Sequence, residues 1–217
     1  MVDPKRKNLV AKVGGDMKTP VSTPLKPDFG TYHHSTPKSS EKARTIIRQG
    51  FITGFGSLPF SKDEKISILD IGCGLGFISC VCAEYYGHAN VTGIDIFGHV
   101  SLKDSSISKA KENARILGLS DRIHFKKEDA LSSNYNEDKF DLFVSNLVFH
   151  NFGKRRFEAY DRLASWMAPN SYALLGEVFF NRKADMKYLS KTFKIEKEIK
   201  PKIEVPSYWI LALSKIG

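Results

Sequence analysis

A glycine-rich stretch is the part of this sequence whose residue types and spacing point most directly to chemistry. It reads Asp-Ile-Gly-Cys-Gly-Leu-Gly and contains Asp70, Gly72, Cys73, Gly74 and Gly76 between two apolar runs. Glycines at such a junction let the backbone turn tightly and approach a ligand, and a following helix offers unpaired N–H groups. The stretch predicts a ligand-binding loop. Dinucleotide dehydrogenases use a similar loop, but with G-x-G-x-x-G in place of the G-x-G-x-G found here.

Acidic residues close the next two apolar runs. Asp95 lies 23 residues beyond Gly72, and a carboxylate at that spacing reaches the ribose hydroxyls of an adenosine-containing ligand. Asp129 is placed to accept a hydrogen bond from the adenine amino group, and Phe97 is placed to stack on adenine. The alternative for both acids is a solvated position in a turn.

A second group of candidates follows the fourth apolar run, in Ser-Asn-Leu-Val-Phe-His-Asn-Phe at 145–152. His150 is our candidate for a general base that serves a hydroxyl or an acidic carbon; the alternative is a histidine that caps a helix or orients a loop. Glu177 either faces the same pocket or ends near a loop. The residues Tyr32, His33 and His34 precede the first helix, where they either line an acceptor pocket or form a linker.

The pattern of apolar residues predicts the elements that position these candidates. Buried strands are expected at 66–72, 90–97, 122–129, 140–150, 171–180 and 208–216, with a further candidate strand at 194–200. Helices are expected at 39–55 (capped by Ser39 or Ser40), 77–87, 105–119, 154–169 and 186–193. Such alternation indicates βαβ units and a parallel sheet. The last two strands are joined by a short loop with two prolines. They are expected to pair antiparallel, because parallel neighbours need a crossover of about a dozen residues.

Composition and charge bound the remaining possibilities. The 217 residues are 41% hydrophobic and 26% charged, as in globular domains, and no apolar run is long enough to span a bilayer. Residues 1–50 carry a net charge of +6 and residues 182–202 one of +5, out of +9 for the whole chain. Three cysteines give no disulfide framework or metal-ligand pattern, so we expect no metal and a cytoplasmic location. We expect a basic, partly mobile arm or lid at 1–38 and one domain at 39–217.

The joint set of motifs resembles a known family. The segments LDIGCGLG, GIDIF, EDAL and FDLFVSNLVFHNF are similar to motifs I to IV of class I S-adenosylmethionine-dependent methyltransferases, a resemblance that covers roughly residues 40–217. It implies a Rossmann-like α/β fold: a doubly wound, mostly parallel seven-stranded sheet with a C-terminal antiparallel strand. It also implies S-adenosylmethionine as cofactor. The implied binding residues are Asp70, Gly72, Cys73, Gly74, Gly76, Asp95, Ile96, Phe97, Asp129, Ala130 and Asn146.

The methyl acceptor is left open by these motifs. Nucleic-acid and protein amide methyltransferases carry Asn-Pro-Pro-Tyr or Asn-Pro-Pro-Phe after the fourth strand, whereas this chain has Asn146-Leu-Val-Phe-His150-Asn151. The segment is more similar to enzymes that methylate small molecules, with His150 as base and Tyr32, His33, His34 and Asn151 near the acceptor. Two alternatives stay open: an RNA methyltransferase that grips phosphates with the arm and residues 182–202, and a non-catalytic partner protein that keeps the fold. Departing from the usual pattern, residues 98–106 form a longer loop near the ribose position.

Overall fold

A computed structural model describes residues 25–102, 104–136 and 139–216. Its helices are α1 (Pro37–Phe55), α2 (Phe77–Tyr85), α3 (Ile107–Ile116), α4 (Arg156–Trp166) and α5 (Arg182–Leu189). Its strands are β1 (Ser67–Ile71), β2 (Asn90–Asp95), β3 (Ile123–Lys127), β4 (Leu142–Asn146), β5 (Tyr172–Val178), β6 (Phe193–Ile199) and β7 (Tyr208–Lys215). The part of the predicted arm at 1–24 lies outside the described residues.

The strands form one seven-stranded sheet in the order β3-β2-β1-β4-β5-β7-β6. Strands β1 to β5 pair in parallel, and β7 pairs antiparallel with both β5 and β6. The predicted doubly wound α/β fold is therefore confirmed, including its antiparallel C-terminal strand. The link 200–207 is long enough for a reversal of direction and too short for a crossover.

Apolar residues pack on both faces of the sheet, because neighbouring side chains of a strand point to opposite sides. Ile68 of β1 belongs to the cluster that contains α1 and α2, whereas Leu69 belongs to the cluster that contains α4. A parallel sheet covered on both faces explains why its strands read as continuous apolar runs. Among the described residues no helix combines the length and apolar character that crossing a membrane requires.

Several element ends differ from the sequence prediction. Helix α1 is capped by Thr36, whose side chain accepts a hydrogen bond from the Ser39 N–H at 3.1 Å, and not by Ser39 or Ser40. Helix α5 begins at Arg182 because Asn181 caps it, four residues before the predicted start. Strand β4 was predicted to run to residue 150, but it ends at Asn146. Leu147 then turns into the left-handed region (φ 61°), and a 3₁₀ segment follows at Phe149–Arg155.

Residues before α1 lie against the domain. The backbone of Asp28 exchanges two hydrogen bonds with the side chain of Asn113 on α3, both at 2.8 Å. The His33 N–H donates to the Ser101 carbonyl at 3.1 Å. The described part of the arm thus covers the carboxyl edge of the sheet together with the described residues of the 98–106 loop.

Candidate functional site

The site lies at the point where the strand order reverses. Strand β1 continues to β2 on one side, while β4 continues to β5 on the other, so their carboxyl ends splay apart and leave a crevice. A cavity of about 810 Å³ opens there, within the size range of small-molecule sites. Residues 32–36 and 202–206 contribute to its walls, together with His99, Ser101, Leu102 and Ser105.

The glycine loop forms one wall. Gly72 and Gly74 line the cavity and have positive φ, 71° and 53°. A Cβ on Gly72 would lie 2.7 Å from Val148 Cγ1 and closer still to its Cγ2, so no larger residue fits between β1 and β4. Gly76 does not line the cavity but caps α2, with φ 81°. Cys73 is buried beside Gly93 and is likewise no part of the wall; burial raises the pKa of its thiol.

Asp95 lies at the cavity wall, held by the backbone. Its Oδ2 accepts the Gly74 N–H at 2.9 Å, and its Oδ1 accepts the Phe97 N–H at 2.6 Å. Both carboxylate oxygens keep lone pairs for a ligand hydroxyl. Ile96 is exposed and lines the cavity. Phe97 does not line it: the residue has a positive φ of 54°, and its partly buried ring packs against the apolar core.

A second acidic group follows β3 on the same side of the cavity. Asp129, Ala130 and Glu128 all line it. Asp129 accepts the Leu131 N–H at 2.9 Å through Oδ1. Glu128 was not among the predicted residues; its carboxylate accepts hydrogen bonds from the hydroxyls of Tyr135 and Ser133, which fix its orientation.

Asp70 is brought close to the glycine loop but is buried below it. Its side chain is 1% exposed and does not line the cavity; its Oδ2 accepts the Ser79 hydroxyl at 2.5 Å. Burial, opposed by the Ser79 hydrogen bond and assisted by the nearby Asp95, raises the pKa of Asp70 to about 7. The resemblance implies that Asp70 is one of the cofactor-binding residues; in this structure its hydrogen-bond partner is Ser79.

The end of β4 brings His150 and Glu177 together. Glu177 on β5 is 1% exposed, and its Oε1 accepts the N–H groups of Val148 (2.7 Å) and Phe149 (2.8 Å). Its Oε2 lies 2.8 Å from His150 Nδ1 and accepts the His150 N–H at 3.4 Å. One carboxylate therefore caps the turn after β4 and also holds the imidazole. Of the two sequence alternatives for Glu177, neither describes it fully: it does not line the main cavity but lies buried under the turn after β4, where it holds His150.

The His150 ring lines the main cavity and a smaller one of about 260 Å³ behind it. With Nδ1 directed at Glu177, Nε2 is the ring nitrogen available to a ligand. A carboxylate that accepts the Nδ1–H fixes the tautomer in which Nε2 carries a lone pair. The arrangement can accept a proton at Nε2. Asn151 also lines the cavity, and its amide donates to the Leu147 carbonyl at 3.0 Å.

The residues before α1 form the outer wall of the cavity. Tyr32, His33 and His34 all line it. The Tyr32 N–H donates to Ser40 Oγ at 3.0 Å, and the Arg44 guanidinium lies over the Tyr32 ring, 5.5 Å from its centroid. Sequence reasoning missed Arg44, a buried cation of α1 that donates to the Gly30 carbonyl at 2.8 Å. It also missed Tyr208, whose buried hydroxyl donates to Asn146 Oδ1 at 2.7 Å. The sequence offered one signal for Arg44: a cation among the apolar residues of the predicted helix.

No cluster of three or more His, Cys, Asp or Glu side chains suited to a metal ion occurs in the described parts of the chain. Cys73, Cys80 and Cys82 are all free thiols and buried. Burial raises the pKa of each of these thiols, which makes the thiolate scarce near neutral pH.

Known proteins resemble this chain in sequence and in fold. Residues 62–207 match the family model described as a methyltransferase domain. The chain is 32% identical over 89 residues to the tRNA1(Val) (adenine(37)-N6)-methyltransferase of Vibrio vulnificus. The aligned residues are 41% of this chain and 34% of that enzyme. It is 28% identical over 115 residues to the malonyl-[acyl-carrier protein] O-methyltransferase of Halalkalibacterium halodurans, which covers 52% of this chain and 40% of that enzyme. The chain thus spans well under half the length of these curated relatives.

A solved structure shares the fold at lower identity. Phosphoethanolamine N-methyltransferase 1 of Haemonchus contortus, determined with phosphoethanolamine and S-adenosylhomocysteine, superimposes with a TM-score of 0.66 at 17% identity. The match covers 82% of this chain and 44% of that one.

Proposed function

Because the chain belongs to the methyltransferase domain family and has the fold of class I S-adenosylmethionine-dependent methyltransferases, we propose that it methylates a small molecule by in-line displacement. The acceptor carries a proton on its reacting atom, as a hydroxyl or an acidic carbon does. One observation carries this choice of acceptor: His150, held by the buried Glu177, presents a ring nitrogen at the cavity.

The residues present fit S-adenosylmethionine. Gly72 and Gly74 present bare backbone at the cavity wall, because a Cβ at either position would collide with Val148 or Leu102. The Asp95 carboxylate is fixed beside them, where it can accept ribose hydroxyls. Asp129 offers its second carboxylate oxygen on the adenine side, flanked by Ala130 and Ile96. When bound, the cofactor supplies a methyl group on a positively charged sulfur, which makes that carbon strongly electrophilic. Asn146, at the carboxyl end of β4, also lines the cavity.

His150 has the role of removing the acceptor proton. Its Nε2 takes the proton as the oxygen or carbon nucleophile attacks, and Glu177 stabilises the resulting imidazolium through Nδ1. Segment 32–36 and the cavity-lining residues His99, Ser101 and Leu102 hold the acceptor in place and exclude water. Orientation and desolvation of this kind supply much of the acceleration in a bimolecular displacement.

The placement of positive charge supports a small acceptor over RNA. Within the fully described segment 182–202, Lys202 alone lines the cavity. Arg182 pairs with Glu198 and stacks on Trp209, and Lys194 pairs with Glu196. Lys194 and Lys197 lie on β6, the edge strand of the sheet, where lysines discourage pairing with other chains.

An RNA acceptor is the second candidate, favoured by the similarity to the Vibrio tRNA methyltransferase. It predicts tight binding of tRNA that weakens steeply with salt. A non-catalytic partner protein is the third, and it predicts that no cofactor binds. The three buried free thiols are in keeping with our proposal of a cytoplasmic location.

Calorimetric titration with S-adenosylmethionine and S-adenosylhomocysteine, with NAD as control, tests the cofactor. We expect both adenosyl ligands to bind and NAD not to bind. Transfer of a radiolabelled methyl group is then measured over a panel of phenols, hydroxy acids and 1,3-dicarbonyls, with bulk tRNA alongside. Methylation of tRNA alone would replace our proposal by the RNA alternative, and failure to bind either adenosyl ligand would leave the partner-protein alternative.

A further inference from the structure

The link between β6 and β7 carries a lysine, Lys202, into the cavity wall. Its neighbours on both sides are anchored. Pro201 packs beside α1, where a Cβ added to Gly50 would lie 3.1 Å from Pro201 Cγ. Ile203 is partly buried against the apolar core. Because both neighbours are held, the backbone of Lys202 has a defined position at the cavity.

The positive charge of Lys202 is not compensated by the acid next to it. Glu204, the one carboxylate of the link 200–207, also lines the cavity, but its Oε1 lies 2.8 Å from Lys42 Nζ on α1. Among the residues that the structure describes, no carboxylate forms an ion pair with Lys202. Lys42 therefore occupies Glu204, and the Lys202 ammonium remains available to an anion of a ligand.

Negative charge in the cavity lies on the cofactor side of the proposed site. The ends of β2 and β3 and the segments that follow them line the cavity with Asp95, Glu128 and Asp129. In the described residues of these segments no lysine or arginine lines it. An anionic group of a ligand is repelled by these carboxylates and attracted by Lys202, so the charge distribution favours one orientation of an anionic ligand.

The cavity wall next to Lys202 in the chain is apolar. Ile203 and Val205 line the cavity from the same link, and Ile46 and Ile47 line it from α1. Apolar side chains of this kind bind the carbon skeleton of a ligand, while a few polar groups fix its orientation. The combination suits an amphipathic molecule with one charged end.

We propose that Lys202 is a specificity-determining residue, which selects methyl acceptors that carry an anionic group, a carboxylate or a phosphate, apart from the methylated atom. The inference rests on the proposed function and narrows the acceptor to an amphipathic acid. The Lys202 ammonium binds the anion, and the reacting atom lies at His150. Because Lys202 is exposed, water and salt screen this attraction, and removal of its charge weakens binding of the anion about 2–5-fold.

Calorimetric titration of the complex with S-adenosylhomocysteine tests the selection without methyl transfer. The probes are 3-(4-hydroxyphenyl)propanoate, 2-(4-hydroxyphenyl)ethyl phosphate and the neutral 3-(4-hydroxyphenyl)propanamide. We expect at least one anion to bind about 2–5-fold more tightly than the amide. The anion with the larger preference identifies the group that Lys202 recognises. Equal affinities for the anions and the amide, or no binding of either anion, overturn the proposal.

Two variants assign the preference to Lys202. Lys202→Gln should remove it, and Lys202→Glu should make the amide the tighter ligand. The matched control is Lys200→Gln, which removes the same charge from a lysine that lies 5.1 Å from the Trp209 ring and does not line the cavity. The control should keep the preference. A preference that survives in Lys202→Glu, or that is lost equally in Lys200→Gln, overturns the proposal.

Methyl transfer separates this inference from the proposed function. We expect Lys202→Gln to lower kcat/KM for the preferred anion about 2–5-fold and to leave that for the amide unchanged. If no probe is methylated while the anion still binds more tightly through Lys202, the proposed function fails for phenols and the selection by charge stands. If acid and amide are methylated equally well by wild type and by Lys202→Glu, the proposed function stands and the selection is refuted.

Discussion

Replacing Glu177 by glutamine changes one atom of a buried side chain and reverses the hydrogen bonding of His150. The amide oxygen of Gln retains the N–H groups of Val148 and Phe149, because the opposite orientation would leave both unpaired. The NH₂ group then faces His150 Nδ1, which must accept and therefore loses its proton. The proton moves to Nε2, so the nitrogen at the cavity can no longer act as a base.

The expected loss of activity follows from the role of the base. General-base catalysis contributes about 10²–10⁴-fold, which is about 3–5 kcal/mol of transition-state stabilisation. We therefore expect the kcat of Glu177→Gln to fall by about 100-fold or more, measured by methyl transfer to the best phenol of the panel. The hydrogen bond from the His150 N–H to Oε2 is lost and the retained ones are no longer charge-assisted, which costs about 1.5–3 kcal/mol of folding stability. The melting temperature therefore falls by roughly 3–12 °C and the variant stays folded.

The affinity for S-adenosylhomocysteine should be unchanged in Glu177→Gln, which separates loss of the base from loss of the site. His150→Ala should lose as much activity, and the double variant no more than either, because the two residues act as one unit. Glu158→Gln, on the surface of α4, is the matched control. A Glu177→Gln enzyme with kcat within about threefold of wild type would refute the assignment of His150 as base.

Three further predictions concern the cofactor site and its supports. Asp95→Asn keeps the shape but loses one acceptor, so the Kd for S-adenosylhomocysteine should rise about 10–100-fold by calorimetry, and an unchanged Kd contradicts the ribose assignment. Burial raises the pKa of Asp70 from 3.8 to about 7. The protonated carboxyl therefore stabilises the folded state by about 4 kcal/mol below pH 4, and this contribution is lost as the pH rises through 7. Asp70→Asn should therefore melt higher than wild type at pH 8 and much as wild type at pH 4; equal behaviour at both pH values contradicts burial as the cause. Gly176→Ala, which places a methyl group against the Tyr208 hydroxyl, should lose about 1–3 kcal/mol of stability, seen as a melting temperature roughly 2–12 °C lower, and an unchanged value means that Tyr208 can move aside.

The order of strands and helices along the chain could be predicted from the sequence, because the apolar pattern that specifies each element lies within that element. The apolar runs around Leu69, Val91 and Val144 are long enough to specify strands buried on both sides, and the intervening periodicity specifies helices. Element ends were predicted less well. Thr36 and Asn181 cap helices where serines or later residues had been expected, since several neighbouring polar residues can serve as caps and packing selects one.

The same distinction between local and long-range signals applies to the candidate site. Gly72, Gly74 and Asp95 follow their strands directly in sequence, and the parallel sheet brings their ends to one edge whatever the surrounding packing; the sequence alone determined that these residues meet. Contacts between distant segments were decided by the tertiary structure. Glu177 reaches His150 from the neighbouring strand, and Tyr208 reaches Asn146 from a strand 62 residues further along the chain. Their meeting depends on strand register and on the space that packing leaves at each position, which no spacing within one segment records.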